Sequence, residues 1–221
     1  MDTLLEGLLP EDVRATTAPI RDCVSALRHE ERRFVERAVP TRQREFATGR
    51  ELARGLLTEL GHADFTLLRE EDRIPRWPEG IVGSITHAAD LCAVAIAHGR
   101  DYHGIGIDLE PDEGVDKDIE RVVCRDAEHD WVAAAGEDER GVRCRIVFSV
   151  KEAVYKAFYP KTRQFWSFQD VTVAIDLDEG CYRARLPGGA GVDEVTGRVR
   201  CDAGWIVSTL AVSRGEMESP E

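Results

Sequence analysis

Apolar and polar positions along this chain repeat with two different periods. From Thr41 to Leu60 (TRQREFATGRELARGLLTEL), Phe46, Ala53, Leu57 and Leu60 fall on one side of a 3.6-residue repeat, and Gly61 closes the segment. Arg145–Tyr159 (RIVFSVKEAVYKAFY) repeats the pattern with Val147, Val150, Val154, Ala157 and Phe158, and Pro160 predicts its end. Further helical material is expected around Ile119–Ala135. The strand-like runs are Leu91–His98, Gly104–Glu110, Val171–Leu177, Cys181–Leu186, Gly197–Asp202 and Trp205–Ser213. Residues 1–40 read as loosely organised helix and turn, Ile74–Gly83 as a proline- and glycine-bearing loop, and Pro111–Asp118 as an acidic turn. Helix followed by strands, twice over, predicts an α+β protein of two similar lobes. The expected division is an N-terminal lobe over 1–110, a C-terminal lobe over 111–213 and a disordered tail over 214–221.

With 43% hydrophobic residues, the 221-residue chain can bury a substantial core. Its six cysteines lie far apart with no CxxC, so they read as reduced and zinc is not expected. The opening MDTLLEGLLPEDV has no basic segment ahead of its apolar run, and no stretch reaches the roughly 18 uncharged apolar residues of a membrane span. A cytoplasmic protein is expected. Charge then narrows the choice: 42 acidic against 29 basic residues leave a net −13, which repels nucleic acid and anionic membrane alike. In such a chain, basic residues gathered in one place point to a local anion.

One such gathering lies on the Thr41–Leu60 helix. Arg50 falls inside the apolar stripe, where a guanidinium is costly unless an anion pairs with it, and Arg42 and Arg54 lean to the same side. A phosphate clamp and a buried ion pair with a carboxylate elsewhere fit equally well. In GIGIDLEP (Gly104–Pro111), Ile105, Ile107 and Leu109 share one strand face, and Gly104, Gly106, Asp108 and Glu110 share the other. Two glycines would leave room beside two carboxylates, which repel each other unless a cation joins them; hard oxygen ligands suit magnesium. A solvated strand end is the plainer alternative. In FSVKEAVYK (Phe148–Lys156), Glu152 and Lys156 stand four residues apart: a surface ion pair, or a third metal ligand or base beside a lysine that meets phosphate. GSITHAA (Gly83–Ala89) places Ser84, Thr86 and His87 after a tight loop, where free backbone N–H groups and small hydroxyls would suit an anion. Ser84, His87 and Asp108 could compose a hydrolase triad, but no GxSxG accompanies them. GxxxxGK[ST] is absent too, which weakens a phosphate-loop nucleotide enzyme.

In order, REFATGRELAR, LLREEDRIPRWPEGIVGSITH, GIGIDLEP, FSVKEAVYKAFYP and WSFQD resemble the Sfp-type 4′-phosphopantetheinyl transferases, in particular the branch of enterobactin synthetase component D proteins and actinobacterial type II enzymes. The resemblance runs from about Thr41 to Asp170 and implies a pseudo-twofold α+β monomer that binds coenzyme A between its lobes. It implies magnesium at Asp108, Glu110 and Glu152, with Asp108, Glu152 and Lys156 catalytic. Arg42 and Arg50 would hold the 3′-phosphate of coenzyme A, and Arg69 would lie near the nucleotide. Ser84, Thr86, His87, Lys151 and Lys156 would stand beside the phosphates. The implied reaction moves 4′-phosphopantetheine from coenzyme A to a serine of an apo acyl or peptidyl carrier, with siderophore, nonribosomal peptide and polyketide synthases as the expected setting. A non-catalytic coenzyme A-binding protein of the same fold is the alternative. Phe158, Tyr159, Lys161, Arg163, Phe165 and Trp166 are the expected carrier-docking patch.

Overall fold

The computed structural model describes residues 4–218, apart from the side chains of Asp138 and Glu218. Two antiparallel sheets, each covered by one long helix, organise the chain. In the first half, β1 (Arg14–Pro19), β2 (Ile81–Ala88) and β3 (Leu91–His98) form a sheet of order β1-β3-β2. A single 3₁₀ turn (Val24–Ala26) and the short α1 (His29–Arg32) lead to α2 (Pro40–Glu59). Pro40 begins α2, where its missing N–H costs nothing, and Gly61 ends it with a positive φ of 86°. Val94 and Ile96 of β3 face Ala53 and Leu57 of α2; the alanines between them (Ala93, Ala95, Ala97) turn the other way.

The second half contains β4 (Tyr102–Pro111), α3 (Lys117–Val123), α4 (Asp126–Ala133), α5 (Glu137–Thr162), β5 (Thr172–Asp176), β6 (Cys181–Arg185), β7 (Glu194–Asp202), β8 (Trp205–Ser213) and α6 (Arg214–Glu218). Its five-stranded sheet runs β4-β8-β7-β6-β5. Val147, Val150, Val154, Ala157 and Phe158 of α5 pack on that sheet against Tyr182, Val199, Ile206 and Leu210. On the other side of β4, Ile105, Ile107 and Leu109 meet the small alanine face of β3, together with Leu5, Leu8 and Val13. The two sheets share no ladder. Their free edges, β2 and β4, lie side by side, and Ser84 Oγ accepts the outward N–H of Ile107 at 3.2 Å.

Several expectations change. The first forty residues carry strand β1, whose pairing with β3 no local alternation announces. The division at 110/111 cuts at the end of β4, yet β4 hydrogen-bonds to β8, so this strand belongs to the second sheet. Ile119–Ala135 is two helices, broken where Cys124 takes an extended conformation. The strong helix starts eight residues before Arg145 and runs past Pro160, which sits in the last turn where the lost N–H breaks little; Arg163 closes it with a φ of 54°. Residues 214–218 of the expected disordered tail form α6, and 219–221 lie outside the described residues. No described helix is long and apolar enough to cross a membrane.

The largest correction concerns the two glycines of β4. Their missing side chains leave room for α5, not for a ligand. A Cβ on Gly104 would stand 2.0 Å from the carbonyl oxygen of Ala157, and one on Gly106 would stand 1.8 Å from that of Ala153. Helix and strand backbones therefore touch, with alanines opposite glycines. Gly106→Ala should cost about 3 kcal/mol or more in a denaturant or thermal melt, because helix and strand cannot both keep their places. In contrast, exposed Gly55 of α2 has nothing within 4 Å of its Cβ position, and Gly55→Ala should stabilise by about 1 kcal/mol.

Candidate functional site

The contact between β4 and α5 places Asp108 and Glu110, on the same strand face as the glycines, against the polar stripe of the helix. Asp108 is 3% exposed. Its Oδ1 meets Lys156 Nζ at 2.5 Å and accepts the Thr86 hydroxyl at 3.2 Å, while Lys156 also reaches Thr86 Oγ1 at 3.3 Å. Asp108 Oδ2 is buried and has no hydrogen-bond partner among the described residues. Glu110 Oε2 accepts Arg145 Nη1 at 2.9 Å. Glu152 makes no hydrogen bond or ion pair with any described residue. Burial, first, and then the charge of Asp108 raise the pKa values of both Glu110 and Glu152; Lys156 pulls in the other direction, and Glu110 adds to the rise at Glu152. Three carboxylates thus repel one another around a buried orphan oxygen.

This donor set suits a hard divalent cation, which favours several oxygens and tolerates water in its shell. Among the described residues, no three His, Cys, Asp or Glu side chains are drawn together closely enough to enclose a metal ion as they stand. The ammonium of Lys156 and the guanidinium of Arg145 neutralise Asp108 and Glu110 instead.

A second cluster lies on α2 and the segment that follows it. Arg50 is 5% exposed; its Nε donates to Leu67 O at 2.8 Å and its guanidinium lies 4.0 Å over the Phe46 ring. Arg69 lies over Phe34, at 5.1 Å, and Phe34 in turn tilts against Phe46. Neither Arg50 nor Arg69 has a carboxylate within ion-pair distance among the described residues. Burial pushes Arg50 down to about 10, with Arg42 and Arg69 adding to the shift against Glu31; burial, Arg73 and Arg42 lower Arg69. Three arginines that repel each other in this way have the chemistry to suit a polyanion.

His87 joins the clusters. Arg42 Nη1 lies 2.5 Å from His87 Nε2, and Glu45 lies within 3.0 Å of Arg42 and 3.6 Å of His87 Nδ1. Burial lowers the His87 pKa; Arg42 and Lys156 lower it further, while Glu45 and Asp108 oppose them. His87 is therefore a neutral imidazole near pH 7, within the field of both charge centres.

Asp108, Lys156 and Thr86 are in direct contact, Glu110 and Glu152 lie within their charge field, and His87 links them to Arg42, whose charge acts on Arg50 and Arg69. Ser84 is buried at the joint of the sheets, and the segment expected as a tight loop is strand β2. Its hydroxyls are committed to β4, so no open nest of N–H groups forms there. Arg54 turns away from the clamp to buried Glu31, at 2.9 Å. Lys151 does not reach the groove. It is 2% exposed, and Glu128 Oε2 (2.6 Å), Phe168 O (2.7 Å) and Val123 O (2.8 Å) take its three protons. Of the expected docking patch, Phe158 and Trp166 are core residues and Arg163 is engaged in ion pairs, whereas Phe165 is 78% exposed.

The sequence reading missed Arg145 and Glu45. Both had a signal: Arg145 precedes Glu152 by two helical turns, and Glu45 follows Arg42 by one. It also missed a cleft of about 490 Å³ beside Glu152, walled by Tyr155, Phe165, Trp166, Phe168 and Val171. Its walls join α5 to the segment beyond it, so no local pattern reveals it.

Known proteins share this arrangement in sequence. Residues 30–97 match the family described as the 4′-phosphopantetheinyl transferase N-terminal domain, and residues 104–208 match the 4′-phosphopantetheinyl transferase superfamily. The chain is 38% identical over 205 residues to the 4′-phosphopantetheinyl transferase Svp of Streptomyces mobaraensis, covering 90% of this chain and 83% of that protein. It is 31% identical to the 4′-phosphopantetheinyl transferase Npt of Nocardia iowensis (77% and 71% covered). The 4′-phosphopantetheinyl transferase PptT of Mycobacterium tuberculosis is 30% identical (76% and 73%).

The two buried cations should respond oppositely to removal. Lys151→Met strands the Glu128 carboxylate and should cost about 3–5 kcal/mol in a denaturant melt. Arg50→Met removes a charge without a carboxylate partner; it should raise the stability of the free protein by about 1 kcal/mol and abolish the protection that inorganic pyrophosphate gives in a thermal melt.

Proposed function

The chain belongs to the 4′-phosphopantetheinyl transferase superfamily and is an enzyme that transfers the phosphopantetheinyl group to carrier proteins, and on that premise we propose how its residues divide the work. The observation that carries the proposal is the orphan oxygen of Asp108, whose other oxygen meets Lys156, beside two further carboxylates and within the charge field of His87 and the arginine cluster. A non-catalytic binder has no use for a buried, unsatisfied carboxylate.

The arginine cluster, Arg42, Arg50 and Arg69, holds the 3′-phosphate and nucleotide end of coenzyme A. His87 stands between this end and the carboxylates, beside the diphosphate. Asp108, Glu110 and Glu152 would hold a magnesium ion, which when bound would supply positive charge against the charge that develops on the diphosphate. The apolar cleft beside Glu152 takes the uncharged pantetheine arm. Glu152, free of partners among the described residues and with its pKa raised by burial, is the base suited to accept the proton of the carrier serine, directly or through a water. The serine oxygen bonds to the β-phosphorus as the bond to the bridging oxygen breaks, releasing 3′,5′-ADP. Lys156 neutralises the departing phosphate. Lys151 takes no part in this; it braces α5 against α3 and the segment after α5.

The carrier docks where apolar side chains stand exposed around the cleft: Phe165 beyond α5, and Ile119 and Val122 on α3, with Arg121 alongside for an acidic partner. The pseudo-twofold relation of the halves is part of this proposal, each half laying one long helix on an antiparallel sheet, as is a monomeric, cytoplasmic enzyme serving siderophore, peptide or polyketide synthases.

Purified protein mixed with apo-carrier, coenzyme A and magnesium should raise the carrier's mass by one phosphopantetheine; several carriers left unchanged would overturn the proposal. Asp108→Ala and Glu152→Ala should each slow transfer at least about a hundredfold in the same assay with melting curves that show an intact fold. Activity surviving either change would remove that residue from the centre.

A further inference from the structure

Arg163 ends the catalytic helix in a conformation that glycine ordinarily takes. At φ 54° and ψ 18° it occupies the left-handed region just beyond α5, where a side chain is strained and glycine is the common residue. Its guanidinium reaches the other half of the molecule, to Glu70 at 2.8 Å and Asp72 at 2.9 Å. Those carboxylates sit at the tip of a small finger, residues 68–76, closed by Glu70 N–H to Ile74 O at 2.9 Å, Arg76 N–H to Leu68 O at 2.9 Å and the Arg69–Pro75 bridge. The same finger carries Arg69.

Two problems meet in this finger. Arg69 must stand near Arg42 and Arg50, which repel it. It must also stay free of carboxylates, although Glu70 and Asp72 are its near neighbours in sequence. Arg163 answers both: it holds the finger against the end of α5 and occupies the two carboxylates that could otherwise neutralise Arg69. We propose that Arg163 is a positioning residue for the transferase reaction, a latch that keeps Arg69 available for the nucleotide phosphate and ties the nucleotide end of the site to the helix bearing Glu152 and Lys156. This rests on the function proposed above and adds a residue that touches neither substrate nor reacting atoms.

The test compares wild type, Arg163→Gly and Arg163→Lys. Glycine suits the left-handed backbone, so Arg163→Gly should melt no lower than wild type while its KM for coenzyme A rises about threefold to tenfold, the range for losing two partly exposed ion pairs, and kcat stays within about twofold. Arg163→Lys should recover much of the loss. Glu70→Gln with Asp72→Asn should raise KM similarly, and combining it with Arg163→Gly should add little, as for partners in one network. An unchanged KM in Arg163→Gly, or a fall in kcat that tracks a fall in melting temperature, would overturn the latch. Protection against melting by inorganic pyrophosphate separates the two proposals. If wild type transferred nothing yet Arg163→Gly lost pyrophosphate protection, the function would fall, while the hold of Arg163 on the finger and its arginine would stand. Transfer by wild type, with pyrophosphate protection and KM unaltered in Arg163→Gly, would sink the latch alone.

Discussion

Everything in the site hangs on the approach of α5 to β4. Ala153 and Ala157 lay their carbonyl oxygens where Gly104 and Gly106 would carry side chains, and the helix lies on the strand at backbone distance. Asp108 and Glu110 continue the glycine face of β4, so the same contact that seats the helix brings their carboxylates to Glu152, Lys156 and Arg145. A methyl group in either glycine would move the two rows of charged groups apart together. Packing density supplies the precision: apolar side chains of α5 fill the sheet beneath it, and rows of close-packed atoms leave no slack for the helix to slide.

Charge in this acidic chain is sorted into pairs that close and groups left open. Lys151 with Glu128 is a buried pair whose three lysine protons are all used, and Arg54 reaches buried Glu31; each pair fastens one segment to another. Among the described residues, Arg50, Arg69, Glu152 and one oxygen of Asp108 lack such partners. Burying charge without a partner costs stability, and His87, in contact with Arg42 and in the field of Asp108 and Lys156, stands between the open groups. A diphosphate with a divalent cation at one end and a phosphate at the other matches that distribution. The joint of the two sheets is built to the same end: β2 and β4 meet edge to edge without a ladder, and the bonds across it come from Ser84 and Thr86, which carry Asp108 into the groove.

Much of this was written in local pattern. The α2 and α5 periodicities, the strands Leu91–His98 and Trp205–Ser213 and the alternation of β4 depend on neighbours a few residues away, so the chain alone determined them. Arg50 in an apolar stripe and Glu152 four residues before Lys156 were candidates for an anion and a cation site, and order and spacing joined them into a family resemblance that the comparisons bear out. Tertiary structure decided which charged residue serves which purpose. Lys151 and Lys156 flank Glu152 on one helix, but a 100° turn per residue sends Lys151 into the core to Glu128 and Lys156 into the groove. Arg50 and Arg54 share α2, and only the distant Glu31 separates their roles. Strand β1, the glycine seats for α5 and the Arg163 contact with Glu70 and Asp72 join segments far apart in the chain. Periodicity reports which side of an element is apolar; it carries no information about what that side will meet, because the partner arrives only when the chain closes on itself.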